Sequence, residues 1–266
     1  MPTNPLKLIL NLQKSIHFNI ADIEGNNKAN KLGSGLELYI RNLFVGSVDL
    51  DKDKIDYSDD FSYIGNSSNP PDLILKNSDA VEIKKVESLG SSLALNSSSP
   101  KNKLYANSEL ITKQCRDCED WSEKDMLYII GTVKNKILQK LWLVYGDCYS
   151  ADNELYENTK KEFEWVDSMD ADYTSNKIDS LNITTYSSKK GWAIKSPSKV
   201  FDYLPVANFG LNFLVLEVKY NSFNSSDRNK IESNNEISVS DVKIKDPNNP
   251  AKLLDAKLIQ LCLNKN

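Results

Sequence analysis

Two carboxylates and a lysine are spaced so that they can assemble a site for phosphate chemistry. Asp72 opens the short apolar segment DLIL, and Glu82 and Lys84 lie in the segment AVEIKKV that follows it. Residues 76–79 between the two segments favour a tight turn, so the segments are predicted to pair as a hairpin. Because side chains alternate along a strand, Glu82 and Lys84 share a face, and Asp72 comes alongside that face. Carboxylate oxygens suit Mg²⁺, and the lysine can orient or deprotonate a water for attack on a phosphodiester.

The pattern of an aspartate followed by Glu-x-Lys is weakly specific, and the chain contains it a second time. Asp202 precedes Glu217-Val218-Lys219 in the apolar run FLVLEVKY. A Tyr-Leu-Pro sequence and a polar stretch follow Asp202, and they do not predict a hairpin that brings it to Glu217. We therefore favour the first site and interpret Glu217 and Lys219 as a cross-strand ion pair at a sheet surface.

The segments around the site show helical and strand patterns in mixed order. Helices are predicted in two pieces within residues 6–44, from Asn153 onward, and over residues 250–263 at the end of the chain. Strands are predicted at 72–75, 80–86, 126–133, 141–146 and 211–220. The polar stretch 87–113 is long enough to predict a functional loop. No boundary signal divides the chain, so the pattern predicts a single α/β domain over residues 1–266.

The run PPDLILKNSDAVEIKK resembles the P-D…(D/E)-x-K motif of type II restriction endonucleases. Four further segments are similar, in the same order, to the NgoPII-type family: GLELYIRNLF, SSLALNSSSPKNKLY, TKQCRDCEDWSEKDMLYIIG and LWLVYGDCY. The resemblance implies a restriction-endonuclease-like fold of the α/β class, with a mixed central β-sheet flanked by helices. About residues 30–165 would form the catalytic core of this nuclease domain, and about 166–266 would serve DNA recognition or dimerisation.

The resemblance also implies an activity, a cofactor and partners. It implies a homodimer that cuts double-stranded DNA at a short palindrome, with GGCC favoured, and leaves 5′-phosphate and 3′-OH ends. Mg²⁺ is the expected cofactor, with Mn²⁺ as a substitute, and a cognate DNA methyltransferase would be a functional partner outside any complex. Asp72, Glu82 and Lys84 would be catalytic, and the metal would bind Asp72, Glu82 and the backbone carbonyl of Ile83.

Five other residues are candidates around this set. Glu37 precedes the core on a helix and is either an extra carboxylate near the metal or a solvated glutamate favoured by the helix dipole. Lys85 is either structural or a phosphate contact, and Lys101 and Lys103 are candidates for DNA contacts, because a lysine in the stretch 84–103 could read guanine or touch only phosphate. Arg116 is a candidate for bidentate reading of guanine, and a salt bridge to a neighbouring acidic residue is the alternative.

The composition excludes several function classes. The 266 residues carry a net charge of -4 and include one histidine, His17, so paired-histidine zinc and acid/base sites lack parts. Cys115 and Cys118 supply two of the four ligands of a structural zinc site, and we favour free thiols. The chain has no membrane-spanning run and no signal-peptide pattern, which predicts a cytoplasmic protein without membrane contact. Two alternatives remain: a nuclease of DNA repair or recombination, and an inactive DNA-binding module on the same fold.

Overall fold

The computed structural model describes residues 3–14, 34–47, 55–66, 68–88, 90–96, 98–135, 137–167, 176–177, 183–187 and 190–262. The helices are α1 (Pro5–Lys14), α2 (Ser34–Val45), α3 (Lys113–Arg116), α4 (Gly146–Tyr149), α5 (Asn153–Asp167), α6 (Pro197–Val200), α7 (Glu217–Ser222) and α8 (Ser225–Glu232). The strands are β1 (Phe61–Ile64), β2 (Leu73–Leu75), β3 (Ala80–Val86), β4 (Ser92–Asn96), β5 (Lys103–Tyr105), β6 (Glu123–Lys134), β7 (Ile137–Tyr145), β8 (Asn176–Lys177), β9 (Thr184–Ser187), β10 (Gly191–Lys195), β11 (Gly210–Leu216), β12 (Ile237–Asp246) and β13 (Asn249–Cys262).

A large mixed sheet forms the centre of the fold. Within the described residues it has nine strands, in the order β1-β2-β3-β6-β7-β11-β13-β12, with β5 paired to β6 outside this path. β3 runs parallel to β6 and β7 parallel to β11, whereas the other neighbours are antiparallel. β6 and β7 are buried over most of their length, as strands covered on both faces must be. A smaller sheet, β4-β10-β9-β8, packs beside it.

Helices cover both faces of the large sheet, which confirms the predicted fold class. On one face α2 packs closely on β6 at Gly131. A side-chain carbon at this position would lie only 2.7 Å from Leu36 of α2. On the other face the Tyr128 ring contacts Tyr149 of α4 at a centroid distance of 5.6 Å, and Trp142 lies 5.9 Å from Phe201, which follows α6. No helix among the described residues has both the length and the apolar character needed to cross a membrane.

Up to residue 167, each predicted helix and strand has a counterpart within the described residues. The two helical pieces are α1 and α2, the predicted hairpin is β2 and β3, and the next two predicted strands are β6 and β7. The helix predicted from Asn153 is α5. The polar stretch 87–113 is not only a loop, because it contains the short strands β4 and β5. His17 lies outside the described residues.

Two predictions for the C-terminal half are wrong. Residues 250–263 were expected to be helical, but Asn249–Cys262 forms the strand β13, which pairs with β11 on one side and β12 on the other. Its short apolar groups fit either a strand or a helix, and pairing with the preceding strand β12 and with the more distant β11 decides between them. The strand expected over 211–220 ends at Leu216, and α7 begins at Glu217. β11, β12 and β13 therefore extend the sheet that contains the β2–β3 hairpin.

Candidate active site

The β2–β3 hairpin brings Asp72 to Glu82 as the sequence predicts. Leu73 is opposite Val81 and Ile74 opposite Ala80 in antiparallel register. The turn uses Asn77 with a φ of 55°, a left-handed conformation that asparagine adopts more readily than most residues. Beyond Leu73, the backbone N–H of Ile83 donates a hydrogen bond to Asp72 Oδ2 at 2.6 Å. This bond fixes the carboxylate of Asp72 beside the residue that separates Glu82 from Lys84.

Gly65 holds the backbone of Asp72 from the other side. Its N–H donates to the Asp72 carbonyl oxygen at 2.8 Å. A side-chain carbon at position 65 would collide with the Pro71 carbonyl oxygen, so only glycine permits this approach. No sequence motif singled out Gly65, because the contact depends on how β1 lies against the residues before β2.

Glu82 and Lys84 form a close ion pair on the shared face of β3. Lys84 Nζ lies 2.6 Å from Glu82 Oε1, and the two side chains are 30% and 13% exposed. Burial opposes the charged form of Lys84, but the neighbouring Glu82 and Asp72 carboxylates outweigh it, so the pKa of the ammonium is raised. The second oxygen of Glu82, Oε2, is buried and has no hydrogen-bond partner in the part of the chain that the structure describes.

Asp72 lies in an environment that disfavours its own negative charge. Burial raises the pKa of Asp72, and the Glu82 carboxylate raises it further, whereas Lys84 and the Ile83 N–H lower it. A buried Asp72 whose ionisation the Glu82 carboxylate opposes, beside a buried Glu82 oxygen with no partner among the described residues, is a group that a bound cation would stabilise.

The donor set fits a hard cation that keeps part of its water shell. Within the described residues, no three His, Cys, Asp or Glu side chains converge in a way that could hold a metal ion. Mg²⁺ commonly binds proteins through only one or two carboxylates and waters. Glu37 lines a small cleft of about 30 Å³ together with Asp72 and Ile83, and its charge raises the pKa of Asp72 as the smallest of the causes.

The candidate DNA-contacting residues lie in different settings. Lys85 is partly buried and follows Lys84 on β3, so its side chain points to the opposite face. Lys103 forms an exposed ion pair with Glu123. Arg116 donates from Nε to the Ala106 carbonyl at 2.7 Å and from Nη2 to the Ser108 carbonyl at 3.0 Å, so its described hydrogen bonds go to loop carbonyls and not to an acidic neighbour. Lys101 is buried, at 9% exposure.

Glu217 and Lys219 do not form the predicted cross-strand pair. Both lie in α7, where Glu217 Oε1 is 3.6 Å from Lys257 Nζ. Lys219 Nζ contacts Asp79 Oδ1 at 2.8 Å and Asp125 Oδ2 at 2.6 Å. Asp79, which the sequence suggests only as a turn residue, is therefore a buried ionic anchor at the start of β3.

The paired cysteines are separate thiols in the described structure. Cys115 is buried and Cys118 partly buried. Burial raises the pKa of the Cys115 thiol to about 12, which keeps it protonated at neutral pH.

Comparisons with known proteins show which family the chain is similar to. The family model described as NgoPII restriction endonuclease matches residues 3–245 of the chain. The chain is 42% identical over 253 residues to the Type II restriction enzyme NgoPII of Neisseria gonorrhoeae, across 89% of this chain and 91% of that protein. No solved structure matches the chain.

Proposed function

Because the chain belongs to the NgoPII restriction endonuclease family, we propose that it is a type II restriction endonuclease that hydrolyses phosphodiester bonds in both strands of duplex DNA. The observation that carries the proposal is the convergence of Asp72, Glu82 and Lys84 on one hairpin. Mutually repelling carboxylates with a cation beside them provide what metal-assisted phosphodiester hydrolysis requires.

The proposed cofactor is Mg²⁺, with Mn²⁺ as a substitute. Asp72, Glu82 and the Ile83 carbonyl would hold the ion, and Glu37 would add negative charge nearby. When bound, the ion would activate water and polarise the phosphate. The chain fixes Asp72 through the Ile83 N–H and fixes Glu82 through Lys84. The Lys84 ammonium then orients the attacking water and stabilises charge that develops on the phosphate.

The finer properties of the reaction follow from the resemblance and are part of the proposal. We propose GGCC as the favoured palindrome, 5′-phosphate and 3′-OH products, a homodimer, and a cognate methyltransferase that acts separately in the same cytoplasm. We also propose that residues 1–266 act as one nuclease domain, with its core at about 30–165. The three C-terminal strands in the shared sheet support this unit, and the part after 165 would serve DNA recognition or dimerisation.

Lys85, Lys101, Lys103 and Arg116 are the proposed DNA-contacting residues. Phosphate contacts by lysines give affinity, whereas contacts to base edges give specificity. The hydrogen bonds from Arg116 to the Ala106 and Ser108 carbonyls tie its position to the order of that loop. Reading of guanine by Arg116 stays a prediction.

Digestion of a plasmid tests the proposed function directly. With Mg²⁺, the protein should convert a sequenced plasmid into discrete fragments, and EDTA should prevent this. The fragment lengths should equal the spacings between GGCC sites, and a plasmid methylated within GGCC should resist cleavage. Discrete fragments at other positions would retain the activity but reject GGCC. A smear, cutting only at DNA junctions, or binding without cutting would reject the proposed restriction activity.

Replacement of Lys84 should separate DNA cleavage from DNA binding. We expect Lys84→Met to lose cleavage yet bind a cleavable duplex within about threefold of the wild-type Kd, because affinity comes mainly from many phosphate contacts. Fluorescence anisotropy in Ca²⁺, which avoids turnover, measures this Kd. Loss of binding along with cleavage would assign Lys84 a structural role instead.

A further inference from the structure

A buried lysine that forms no ion pair among the described residues lies close to the candidate active site. Lys101 is 9% exposed, and the neighbour of its Nζ among the described residues is Ser99 Oγ at 3.5 Å, the outer limit of a hydrogen bond. Lys124 is similarly buried, at 7%, but contacts Glu119 at 2.6 Å and the Ser78 carbonyl at 2.9 Å. A buried ammonium normally needs such partners, because leaving water costs free energy that only opposite charge and hydrogen bonds recover.

The backbone of Lys101 is held in place by two specific contacts. Its N–H donates to the Tyr128 hydroxyl at 2.7 Å, and that hydroxyl donates to the Lys101 carbonyl at 3.1 Å. Gly146 permits the segment to pass close by, because a side-chain carbon there would collide with the Lys101 carbonyl oxygen. The fold therefore fixes the backbone of Lys101 at a defined position. A flexible lysine on the surface would not require such contacts.

The same contacts locate Lys101 relative to the catalytic strand. Tyr128 is the register partner of Glu82 on the parallel neighbour β6, so the two side chains lie on the same face of the sheet. Burial lowers the pKa of Lys101, and the charges of Glu157 and Glu82 raise it in part. The Lys101 ammonium therefore interacts electrostatically with Glu82 but does not form an ion pair with it.

Lys101 borders a polar cleft large enough to take part of a nucleic-acid backbone. The cleft has a volume of about 410 Å³, within the size range of ordinary ligand sites. Polar side chains from the segment after β4 and from α5 line it, among them Ser99, Asn107, Ser108 and Lys160, and the acidic residues Glu109 and Glu157 line it as well. Hydroxyl, amide and ammonium groups of this kind donate to phosphate oxygens.

We propose that Lys101 forms a preformed subsite for one backbone phosphate of the DNA duplex, and that the bound phosphate supplies the anion which the ammonium lacks in the free protein. This inference deepens the proposed function and rests on it. It assigns Lys101 a binding role at one phosphate, distinct from the scissile group at Asp72, Glu82 and Lys84.

Thermal unfolding of the DNA-free protein separates this role from a structural one. Lys101→Met removes a buried charge that has no partner, so its Tm should equal or exceed that of the wild type. The matched control, Lys124→Met, leaves Glu119 without its cation and should lower Tm by about 10 °C. A fall in Tm for Lys101→Met as large as that for Lys124→Met would overturn the proposal, because the lysine would then be structural.

Neutral phosphates in synthetic DNA identify the subsite. Lys101→Met should weaken binding of a cleavable duplex about 10-fold in Ca²⁺ and reduce the salt dependence of log K by about 0.9, the value for one phosphate contact. A methylphosphonate should be placed at each position in turn. One position should weaken wild-type binding by a similar factor and cause no further loss in Lys101→Met. Lys101→Gln should behave as Lys101→Met does.

The outcomes distinguish the two levels of the proposal. If the wild type cuts DNA but no methylphosphonate position couples to Lys101, the phosphate subsite is rejected and the proposed function stands. If the wild type neither binds nor cuts duplex DNA, both are rejected, whatever the Tm values show.

Discussion

Asp72→Asn, Glu82→Gln and Lys84→Met should each slow plasmid cleavage by about three or more orders of magnitude, because the three groups act as one unit. Glu82→Gln keeps the size of the side chain but removes the charge that pairs with Lys84 at 2.6 Å. Asp72→Asn keeps an acceptor for the Ile83 N–H but lacks the charge that a cation needs. Single-turnover cleavage of a plasmid, at saturating enzyme, measures the chemical step.

The combined variant gives the sharper test of a single unit. Glu82→Gln combined with Lys84→Met should cut little more slowly than either single variant, since removal of one member already disables the others. Losses that multiply would show that Glu82 and Lys84 act independently.

Glu217→Gln is the matched control, since its Glu-x-Lys sequence repeats the motif. Its carboxylate is 45% exposed and lies 3.6 Å from Lys257, so we expect near wild-type cleavage. If Glu217→Gln abolished cleavage and Glu82→Gln retained it, the catalytic site would include Glu217 and not Glu82. The Tm of Asp72→Asn should not fall, because this replacement removes the repulsion between the Asp72 and Glu82 carboxylates and keeps the acceptor for the Ile83 N–H.

The sequence could predict the hairpin because its determinants are local. β2 and β3 are short, a four-residue turn separates them, and strand alternation alone orders Glu82, Ile83 and Lys84. No long-range contact has to be known for Asp72 to come beside them. The sequence could also predict the mixed sheet with helices on both faces, because several strand-like and helical segments occur in mixed order without a boundary.

The sequence could not predict features that depend on distant pairing. Residues 250–262 have short apolar groups that fit either structure. They pair with β12, which directly precedes them, and residues 256–262 also pair with β11, about 45 residues earlier. The end of β11 at Leu216 likewise turns Glu217 and Lys219 into helix residues. The contacts of Gly65 with Asp72 and of Tyr128 with Lys101 join segments that local patterns treat separately. Each becomes visible only when the sheet order is known.

Asp79→Ala should lower the free energy of unfolding by about 3–5 kcal/mol, the usual effect of removing one member of a buried ionic network. Asp79 is 2% exposed and accepts hydrogen bonds from the Tyr145 hydroxyl at 2.7 Å and from Lys219 Nζ at 2.8 Å. Burial and the Asp79 charge raise the pKa of Tyr145, so its hydroxyl stays a neutral donor. Without Asp79, this buried donor loses its acceptor, and Lys219 loses one of the two carboxylates that it contacts among the described residues. Urea unfolding followed by tryptophan fluorescence measures the change.

Asp255→Ala is the matched control for Asp79→Ala. It removes one aspartate from an ion pair with Lys243 in which both side chains are about 60% exposed. Solvent screens such a pair, so the expected loss is about 0–1 kcal/mol. Equal effects of the two substitutions would mean that the anchor at Asp79 contributes no more than a surface ion pair.

A second substitution tests whether the unpaired lysine causes part of the loss. Asp79→Ala combined with Lys219→Met also removes the ammonium that Asp79 pairs with, so the double variant should be less destabilised than the sum of the single variants. Additive losses would indicate instead that Asp79 acts mainly through Tyr145.

Because Asp79 directly precedes β3, the folded fraction of Asp79→Ala should also cut DNA more slowly than the wild type. A weakened anchor at this end lets the strand that carries Glu82 and Lys84 shift, and small displacements of catalytic groups cost large factors in rate.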